Sequence, residues 1–170
     1  MYMNLGNTQL DLQFEKAVKL LVEHMPFGEE RKKPLLMHVL RVGVYLYERE
    51  YSSEIVLAGL LHDILEWTDA SEDIVKNEFG DRVFAIVKAN TKDRGIVDPV
   101  ERRREYIERC IAVGEPALIV KAADKLDSYR FYRSVDNADE LVRSVDIAKT
   151  ILEKIPNDFQ DPIFTELRNV

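Results

Sequence analysis

The feature that most constrains this chain is a polar insertion in an apolar segment, Leu60-Leu61-His62-Asp63-Ile64-Leu65-Glu66. On a continuous helix, His62 and Glu66 are four residues apart and Asp63 and Glu66 are three apart, so all three side chains project towards one side. Burying a histidine and two carboxylates among leucines costs free energy unless each group finds a partner. A divalent cation is an economical partner, because it converts desolvated acids into ligands. The stretch therefore predicts part of a metal site.

Two residues outside this stretch are candidates for further ligands. His38 lies on the apolar face of the preceding predicted helix, and Asp124 follows two alanines in a later one. A single histidine on an apolar face is more often a hydrogen-bonded core residue than a ligand. The alternative to a metal site is that His38, Asp124 and the doublet His62-Asp63 are unrelated buried residues, each with its own hydrogen-bond partner. Their joint occurrence favours the metal site.

Composition and charge narrow the class of protein. With 170 residues, the chain is long enough for one well-packed domain and short for two, so we predict a single domain over residues 1–170. No apolar run approaches the roughly 20 residues that span a bilayer, and no membrane partner is expected. The only cysteine, Cys110, cannot form an internal disulfide, which favours the cytoplasm. The net charge of −7 argues against binding of a nucleic-acid duplex but permits a small phosphorylated ligand in a local basic pocket.

The periodicity of apolar residues predicts an all-α fold, a single helical bundle. Few segments alternate apolar and polar residues as a half-buried strand does, and only 7 glycines are present. Capping residues, prolines and glycines divide the chain into about eight or nine helices. The predicted helices run from Asn7 or Thr8 to Met25 (ended by Pro26 and Gly28), from Pro34 to Glu50, from Ile55 to Trp67, from Ser71 to Gly80, from Asp81 to Thr91, from Pro99 to Gly114, from Glu115 past Asp124, from Ala138 to Ile155 and from Asp158 to Leu167. Residues 34–132 are expected to form the metal-site core, and helices over residues 138–168 to pack against it.

His38, the doublet His62-Asp63 and Asp124 together resemble the signature of the HD-domain metal-dependent phosphohydrolases. In that family, a histidine on one helix, a His-Asp doublet on a second and a distant aspartate on a third coordinate one divalent metal. The resemblance implies that these four residues bind one ion, most readily Mn²⁺, with Fe²⁺ or Zn²⁺ as alternatives. Dinuclear HD proteins recruit extra histidines after the doublet, but this chain has 3 histidines and none after His62, which disfavours that branch.

Within this superfamily, the chain is most similar to the hydrolase domain of Rel/SpoT-type proteins and to their small stand-alone relatives. These enzymes remove pyrophosphate from the 3′ position of (p)ppGpp with manganese. The matching stretches are Pro34 four residues before His38, His62-Asp63-Ile64-Leu65-Glu66, Phe79-Gly80-Asp81-Arg82-Val83 followed by Thr91-Lys92, and Lys121-Ala122-Ala123-Asp124-Lys125-Leu126. The resemblance implies that Glu66 orients or deprotonates the attacking water. Its alternative role is to accept a hydrogen bond from a metal ligand.

Three positions depart from that pattern. Trp67 stands where the family has an aspartate beside the glutamate, Ser128 where it has an asparagine near the nucleoside, and Leu35 where it has a tyrosine after the proline. These positions concern water activation and nucleoside recognition rather than the metal. Basic clusters are commonly solvated helix faces, but they are also the side chains suited to neutralise the phosphate charge of a ligand. The residues expected to contact substrate are Arg31, Lys32, Lys33, Lys92, Lys121, Lys125 and Ser128.

Three functions are consistent with these residues. The leading hypothesis is a (p)ppGpp 3′-pyrophosphohydrolase that acts on this small phosphorylated nucleotide in the cytoplasm. The same metal site would also serve a nucleotidase or another phosphomonoesterase of the HD type. The third is a degenerate module that binds a nucleotide or a metal as a sensor, and Trp67 in place of the acid is the feature that favours it. A homodimer is compatible with each of these three functions.

Overall fold

α-Helices account for all regular secondary structure in the part of the chain that the computed structural model describes, residues 8–26 and 31–170. The helices in those ranges are α1 (Thr8–His24), α2 (Leu35–Glu48), α3 (Ser53–Leu61), α4 (Ile64–Trp67), α5 (Glu72–Asn90), α6 (Pro99–Val113), α7 (Glu115–Ser134), α8 (Ala138–Lys154) and α9 (Pro162–Leu167). The prediction of an all-α fold with eight or nine helices is confirmed. The predicted Asn7 cap and Gly28 stop lie outside the described residues.

The chain divides into two compact units, Met1–Lys88 and Ala89–Val170. The first contains α1 to α4 and all but the last two residues of α5, and the second contains α6 to α9. The prediction of a single domain over residues 1–170 stays a prediction. Within the described ranges, no helix combines the length and the apolar character that crossing a bilayer requires.

The contact between α2 and α3 in the first unit depends on two glycines. A Cβ atom on Gly43 would lie 2.4 Å from Leu60 Cδ2, and one on Gly59 would lie 2.3 Å from Leu46 Cδ1. Carbon atoms of different residues repel strongly at such distances, so each glycine admits a leucine from the facing helix. The two helices that position the candidate histidines are therefore held close together.

The prediction of one continuous helix over residues 55–67 is wrong. α3 ends at Leu61 and α4 begins at Ile64, so the break falls at His62 and Asp63. His62 keeps helical dihedral angles (φ −58°, ψ −27°), but Asp63 has φ −100° and ψ −3°, in the sparsely populated bridge region. The apolar pattern continues through the break, and for that reason periodicity alone does not reveal it.

Local sequence signals set other helix boundaries. The predicted boundary between two helices at Gly80 and Asp81 is a kink within α5, where φ of 86° and ψ of 169° at Gly80 suit a residue without a side chain. Asp98 caps α6, because its Oδ1 accepts hydrogen bonds from two backbone N–H groups at 2.9 and 2.7 Å. The last helix begins at Pro162 rather than at the predicted Asp158, with Asp161 as its N-cap.

α7 is the central helix of the second unit and packs against α6, α8 and α9. It is buried along most of its length, and its buried residues include Lys121, Asp124, Lys125 and Ser128. Polar groups buried in a helical core need partners within that core. The hydrogen bonds and ion pairs of these four side chains therefore determine whether α7 can be buried at low cost in free energy.

Cys110, on α6, is a buried core residue. Its thiol donates to the Ala89 carbonyl oxygen at 3.4 Å. Burial raises the pKa of this thiol to about 11, which keeps it protonated and unreactive at neutral pH.

We expect Gly43→Ala to lower the free energy of unfolding by about 1–3 kcal/mol, because the added methyl group would collide with Leu60. At an exposed helix position the same substitution would stabilise the protein, because alanine has a higher helix propensity than glycine by about 1 kcal/mol. A loss of stability would therefore indicate the collision with Leu60. Urea denaturation followed by circular dichroism measures the change. Val44→Ala, at an exposed position of the same helix, is the control and should stay within about 0.5 kcal/mol. Wild-type stability for Gly43→Ala would contradict the close contact of α2 and α3.

Candidate metal centre

Two histidine side chains lie close together in the interior of the first unit. His38, on α2, and His62, directly after α3, are both fully buried. Their ring centroids are 5.1 Å apart, and the ring planes make an angle of 82°. Each Nε2 faces the same carboxylate oxygen, Oδ2 of Asp63, at 3.7 Å from His38 and 3.6 Å from His62. Three of the predicted ligand residues therefore converge within one compact unit.

A hydrogen bond fixes the protonation of one of these imidazoles. Nδ1 of His62 lies 2.7 Å from the backbone carbonyl oxygen of Gly59. Since a carbonyl oxygen only accepts, Nδ1 carries a proton, and in the neutral form of the ring Nε2 then holds the lone pair. Metal-binding histidines are commonly oriented in this way, through a hydrogen bond from the second ring nitrogen. Nε2 of His62 is thus the ring nitrogen that faces Asp63 Oδ2.

The interruption between α3 and α4 explains how two adjacent residues contribute to one site. Neighbouring side chains on a regular helix diverge by about 100°, so His62 and Asp63 would point in different directions on a continuous helix. With the backbone turn at Asp63, its Oδ2 lies 3.6 Å from His62 Nε2. The doublet and Glu66 therefore do not lie on the one continuous helix that periodicity predicts. Glu66, in α4, is half-buried, and its backbone N–H donates to the Asp63 carbonyl oxygen at 3.2 Å. The contact of its carboxylate with the attacking water stays a prediction.

The donor atoms of the first unit suit a divalent transition metal. Two imidazole nitrogens and a carboxylate oxygen form a mixed set that manganese, iron and zinc accept. Metal–ligand distances of about 2.0–2.2 Å place two atoms bound to one ion roughly 3–3.5 Å apart. The separations of 3.6 and 3.7 Å therefore need only a small adjustment. The residues present fit a metal ion.

In the second unit, the carboxylate of Asp124 is surrounded by polar side chains of its own helix. Asp124 is buried, and its Oδ2 lies 3.3 Å from Lys121 Nζ and 3.0 Å from Lys125 Nζ. Its Oδ1 accepts a hydrogen bond from the Ser128 hydroxyl at 3.2 Å. Nearby positive charges favour the ionised form of a buried acid, and a carboxylate must be ionised to bind a metal.

Lys121 has partners that sequence analysis missed. Its side chain is 2% exposed, and Nζ also donates to the Asn90 carbonyl oxygen at 3.2 Å. The same atom lies 4.9 Å from the centre of the Tyr106 ring. Burial raises the pKa of the Tyr106 phenol to about 12. The side-chain amide of Asn90 donates in turn to the Ala117 carbonyl oxygen at 3.1 Å. No periodic spacing relates these positions, so only the folded chain reveals the cluster.

The remaining predicted substrate residues are distributed between the two units. In the first unit, the guanidinium carbon of Arg31 lies 5.1 Å from the centre of the Trp67 ring. Lys32 is exposed and Lys33 is partly exposed, as is Lys92 shortly after α5. The two lysines and the serine on α7 are buried. Contact of these residues with substrate stays a prediction.

The chain is similar in sequence to several proteins named guanosine-3′,5′-bis(diphosphate) 3′-pyrophosphohydrolase. The chain is 34% identical over 104 residues to the Drosophila melanogaster guanosine-3′,5′-bis(diphosphate) 3′-pyrophosphohydrolase MESH1, covering 60% of this chain and 58% of that protein. MESH1 of Danio rerio is 34% identical over 126 residues, covering 67% and 69%. A 3′-pyrophosphohydrolase of Aquifex aeolicus is 29% identical over 143 residues, covering 74% of this chain and 20% of that protein. The chain thus spans less than two thirds of the Drosophila and Aquifex proteins.

Two solved structures share the fold. A metazoan ortholog of SpoT, described as hydrolysing ppGpp, matches with a TM-score of 0.76 and 23% identity over 92% of each chain. The protein lmo0812 of Listeria monocytogenes matches with a TM-score of 0.65 and 22% identity, covering 82% of this chain and 96% of that one. At these identities, the likeness establishes the fold alone. Residues 17–153 match the HD domain, and with the helical fold and the His62-Asp63 doublet this match shows that the chain belongs to the HD-domain family.

Proposed function

We propose that this chain is a metal-dependent phosphohydrolase that removes pyrophosphate from the 3′ position of (p)ppGpp. The observation that carries the proposal is the convergence of His38 Nε2 and His62 Nε2 on the Asp63 carboxylate in a buried site. Membership of the HD-domain family supports the reaction class. The relatives named 3′-pyrophosphohydrolase support the substrate.

One divalent ion would be held by His38, His62, Asp63 and Asp124. Manganese is the leading candidate, and iron and zinc accept the same nitrogen and oxygen donors. When bound, such an ion polarises phosphate oxygens and makes water more acidic. The assignment of Asp124 follows the family resemblance, and its burial between two lysines supports it, because nearby positive charges favour the ionised carboxylate that a metal binds.

Glu66 is proposed to orient the attacking water and to accept its proton. Its place one turn beyond the doublet and its partial burial support this role. The water oxygen forms a bond to the phosphorus that is attached to the ribose 3′ oxygen. The bond between this phosphorus and the 3′ oxygen breaks. The proton held by Glu66 passes to the departing 3′ oxygen. The products are pyrophosphate and a nucleotide with a 3′ hydroxyl group.

Basic side chains are proposed to neutralise the phosphates of the substrate. A diphosphate carries several negative charges, and binding it requires compensating cations. Lys121 has a second proposed role, to hold Asp124, because it is buried beside that carboxylate and also donates to Asn90. The proposed substrate contacts are Arg31, Lys32, Lys33, Lys92, Lys121, Lys125 and the hydroxyl of Ser128.

A nucleotidase or other phosphomonoesterase of the HD type is the second candidate. It would use the same ligands but a different substrate. The observation that favours it is Trp67, which is 39% exposed where the Rel/SpoT-type pattern has an acid beside the glutamate. A sensor that binds nucleotide or metal without turnover is favoured by the same substitution.

The proposed setting is the cytoplasm, with a small phosphorylated nucleotide as the partner. A single cysteine, which forms no internal disulfide, and a net charge of −7 support this setting and argue against a nucleic-acid duplex. We also propose a homodimer, which light scattering of the purified protein tests directly.

We expect the protein with Mn²⁺ to release pyrophosphate from ppGpp, to lose this activity after chelation with EDTA and to regain it when Mn²⁺ is restored. A coupled assay for pyrophosphate, run beside one for orthophosphate on a panel of nucleotides, measures the outcome. Orthophosphate release from nucleoside monophosphates would favour the nucleotidase. Metal binding without turnover of any nucleotide would favour the sensor.

A matched pair of histidine variants ties that activity to the site. His62→Gln removes a buried candidate ligand and should abolish both Mn²⁺ binding and activity. His24→Gln changes the histidine whose Nδ1 lies 2.6 Å from Asp69 and should leave both unchanged. Equal loss in the two variants would contradict the assignment of His62.

Glu66→Gln should lower kcat by about 10²–10⁴-fold, because an amide does not accept the proton of the attacking water. Mn²⁺ affinity, measured by calorimetry, should stay within a few-fold of wild type. Glu48→Gln, at an exposed position at the end of α2, is the control. A loss of Mn²⁺ affinity in Glu66→Gln instead would assign Glu66 the alternative role of supporting a ligand.

Lys121→Met should lower the free energy of unfolding by about 3 kcal/mol, because it removes one cation from a buried ion pair with Asp124. The same variant should weaken Mn²⁺ binding, since Asp124 loses a partner that holds its carboxylate. Urea denaturation and calorimetry measure the two effects. Lys149→Met, at an exposed position on α8, is the control. Wild-type stability in Lys121→Met would show that Lys125 and Ser128 suffice to hold Asp124.

A further inference from the structure

Trp67 and Arg31 form a close pair at the end of α4, the helix that begins directly after Asp63. Trp67 is the last residue of α4, four positions after Asp63, and its side chain is 39% exposed. The guanidinium carbon of Arg31 lies 5.1 Å from the centre of the Trp67 ring. Nη2 of Arg31 lies 3.5 Å from the Trp67 carbonyl oxygen. Arg31 thus contacts both the ring and the backbone of one residue.

An arginine that rests on an indole ring is suited to bind an anion. The cation–π attraction holds the face of the guanidinium, whose N–H groups point outward in its own plane. Those N–H groups match two oxygens of a phosphate. A side chain that is ordered before binding loses less entropy when the ligand arrives, so support from the ring increases affinity.

The place of the pair connects it to the candidate site. α4 is a short helix that begins directly after Asp63 and carries Glu66 next to Trp67. A contact that ties Arg31 to this helix therefore fixes a positive charge on the element that follows the doublet. Lys32 and Lys33 come next in the chain, and the same contact anchors the start of this basic segment.

We propose that Trp67 is a positioning residue that holds the Arg31 guanidinium beside the His38–His62–Asp63 site, where Arg31 binds a phosphate group of the substrate. The inference rests on the proposed function for the identity of that substrate. Under this proposal, Trp67, which stands where the Rel/SpoT-type pattern has an aspartate, contributes to substrate affinity rather than to water activation.

Fluorescence tests the pair without turnover. Trp67 is the only tryptophan in the chain, so its emission reports on this position alone. In the Glu66→Gln background with Mn²⁺, we expect ppGpp to change the emission. Adding Arg31→Leu should abolish most of the change and weaken binding about tenfold. Inorganic pyrophosphate is the second probe and should give an Arg31-dependent change as well.

Kinetics with active protein separate positioning from a structural role. Trp67→Leu should raise KM for ppGpp about tenfold with kcat within about twofold, and Trp67→Phe should raise KM about threefold. Arg31→Leu should resemble Trp67→Leu, and the double variant should be no worse than either single one. Trp67→Phe, with a smaller aromatic ring, keeps the test valid if Trp67→Leu does not fold.

A second cation–π pair in the same unit provides the control. Arg49 lies 3.7 Å from the centre of the Tyr45 ring, about 16 Å along the axis of α2 from His38. Arg49→Leu should leave KM at the wild-type value. An equal rise in KM in this variant would overturn the inference, because it would show a general effect of removing arginine.

Other outcomes also decide the matter. Unchanged KM in both Trp67 variants, or a double variant whose loss is the product of the single losses, would overturn the inference. Failure of the proposed function looks different, since no nucleotide is then hydrolysed by wild-type protein. In that case an Arg31-dependent emission change with ppGpp or pyrophosphate still supports the pair as an anion site, and its absence overturns it.

Discussion

The close approach of α2 and α3 is the constraint on which the candidate site of the first unit depends. Gly43 and Gly59 leave room for leucines of the facing helix where any side chain would collide. Gly59 also offers its carbonyl oxygen to His62 Nδ1 at 2.7 Å, and this bond directs the Nε2 lone pair away from the helix that carries it. One glycine therefore serves both packing and the orientation of His62.

The two units handle the cost of burying polar groups in different ways. In the first, a backbone carbonyl accepts from Nδ1 of His62, and two imidazoles and Asp63 form a compact donor set. In the second, the Asp124 carboxylate contacts two lysines and a serine on the same helix. A metal requires neutral imidazole nitrogens and ionised carboxylates as ligands, and both arrangements are compatible with these forms. Neither would be retained at low cost in a helical core without such partners.

Sequence was sufficient where local chemistry decides the structure. The kink at Gly80 and the cap at Asp98 follow from residue types that suit those conformations, and the candidate ligands stand out as polar residues in apolar helices. The break at Asp63 was missed because the apolar pattern runs through it. The contact of Lys121 with Asn90 was missed because the two residues are 31 positions apart and share no period. Long-range partners of polar groups are fixed by packing, which a linear pattern does not encode.

The division at residues 88 and 89 places one natural probe in each compact unit. Trp67, the single tryptophan, lies in Met1–Lys88, and Cys110, the single cysteine, lies buried in Ala89–Val170. Indole emission follows loss of structure in the first unit, whereas thiol modification follows opening of the second. Coincident transitions in denaturant would mean that the two units unfold cooperatively as one body. Separate transitions would show that each half of the candidate ligand set has a thermodynamic stability of its own.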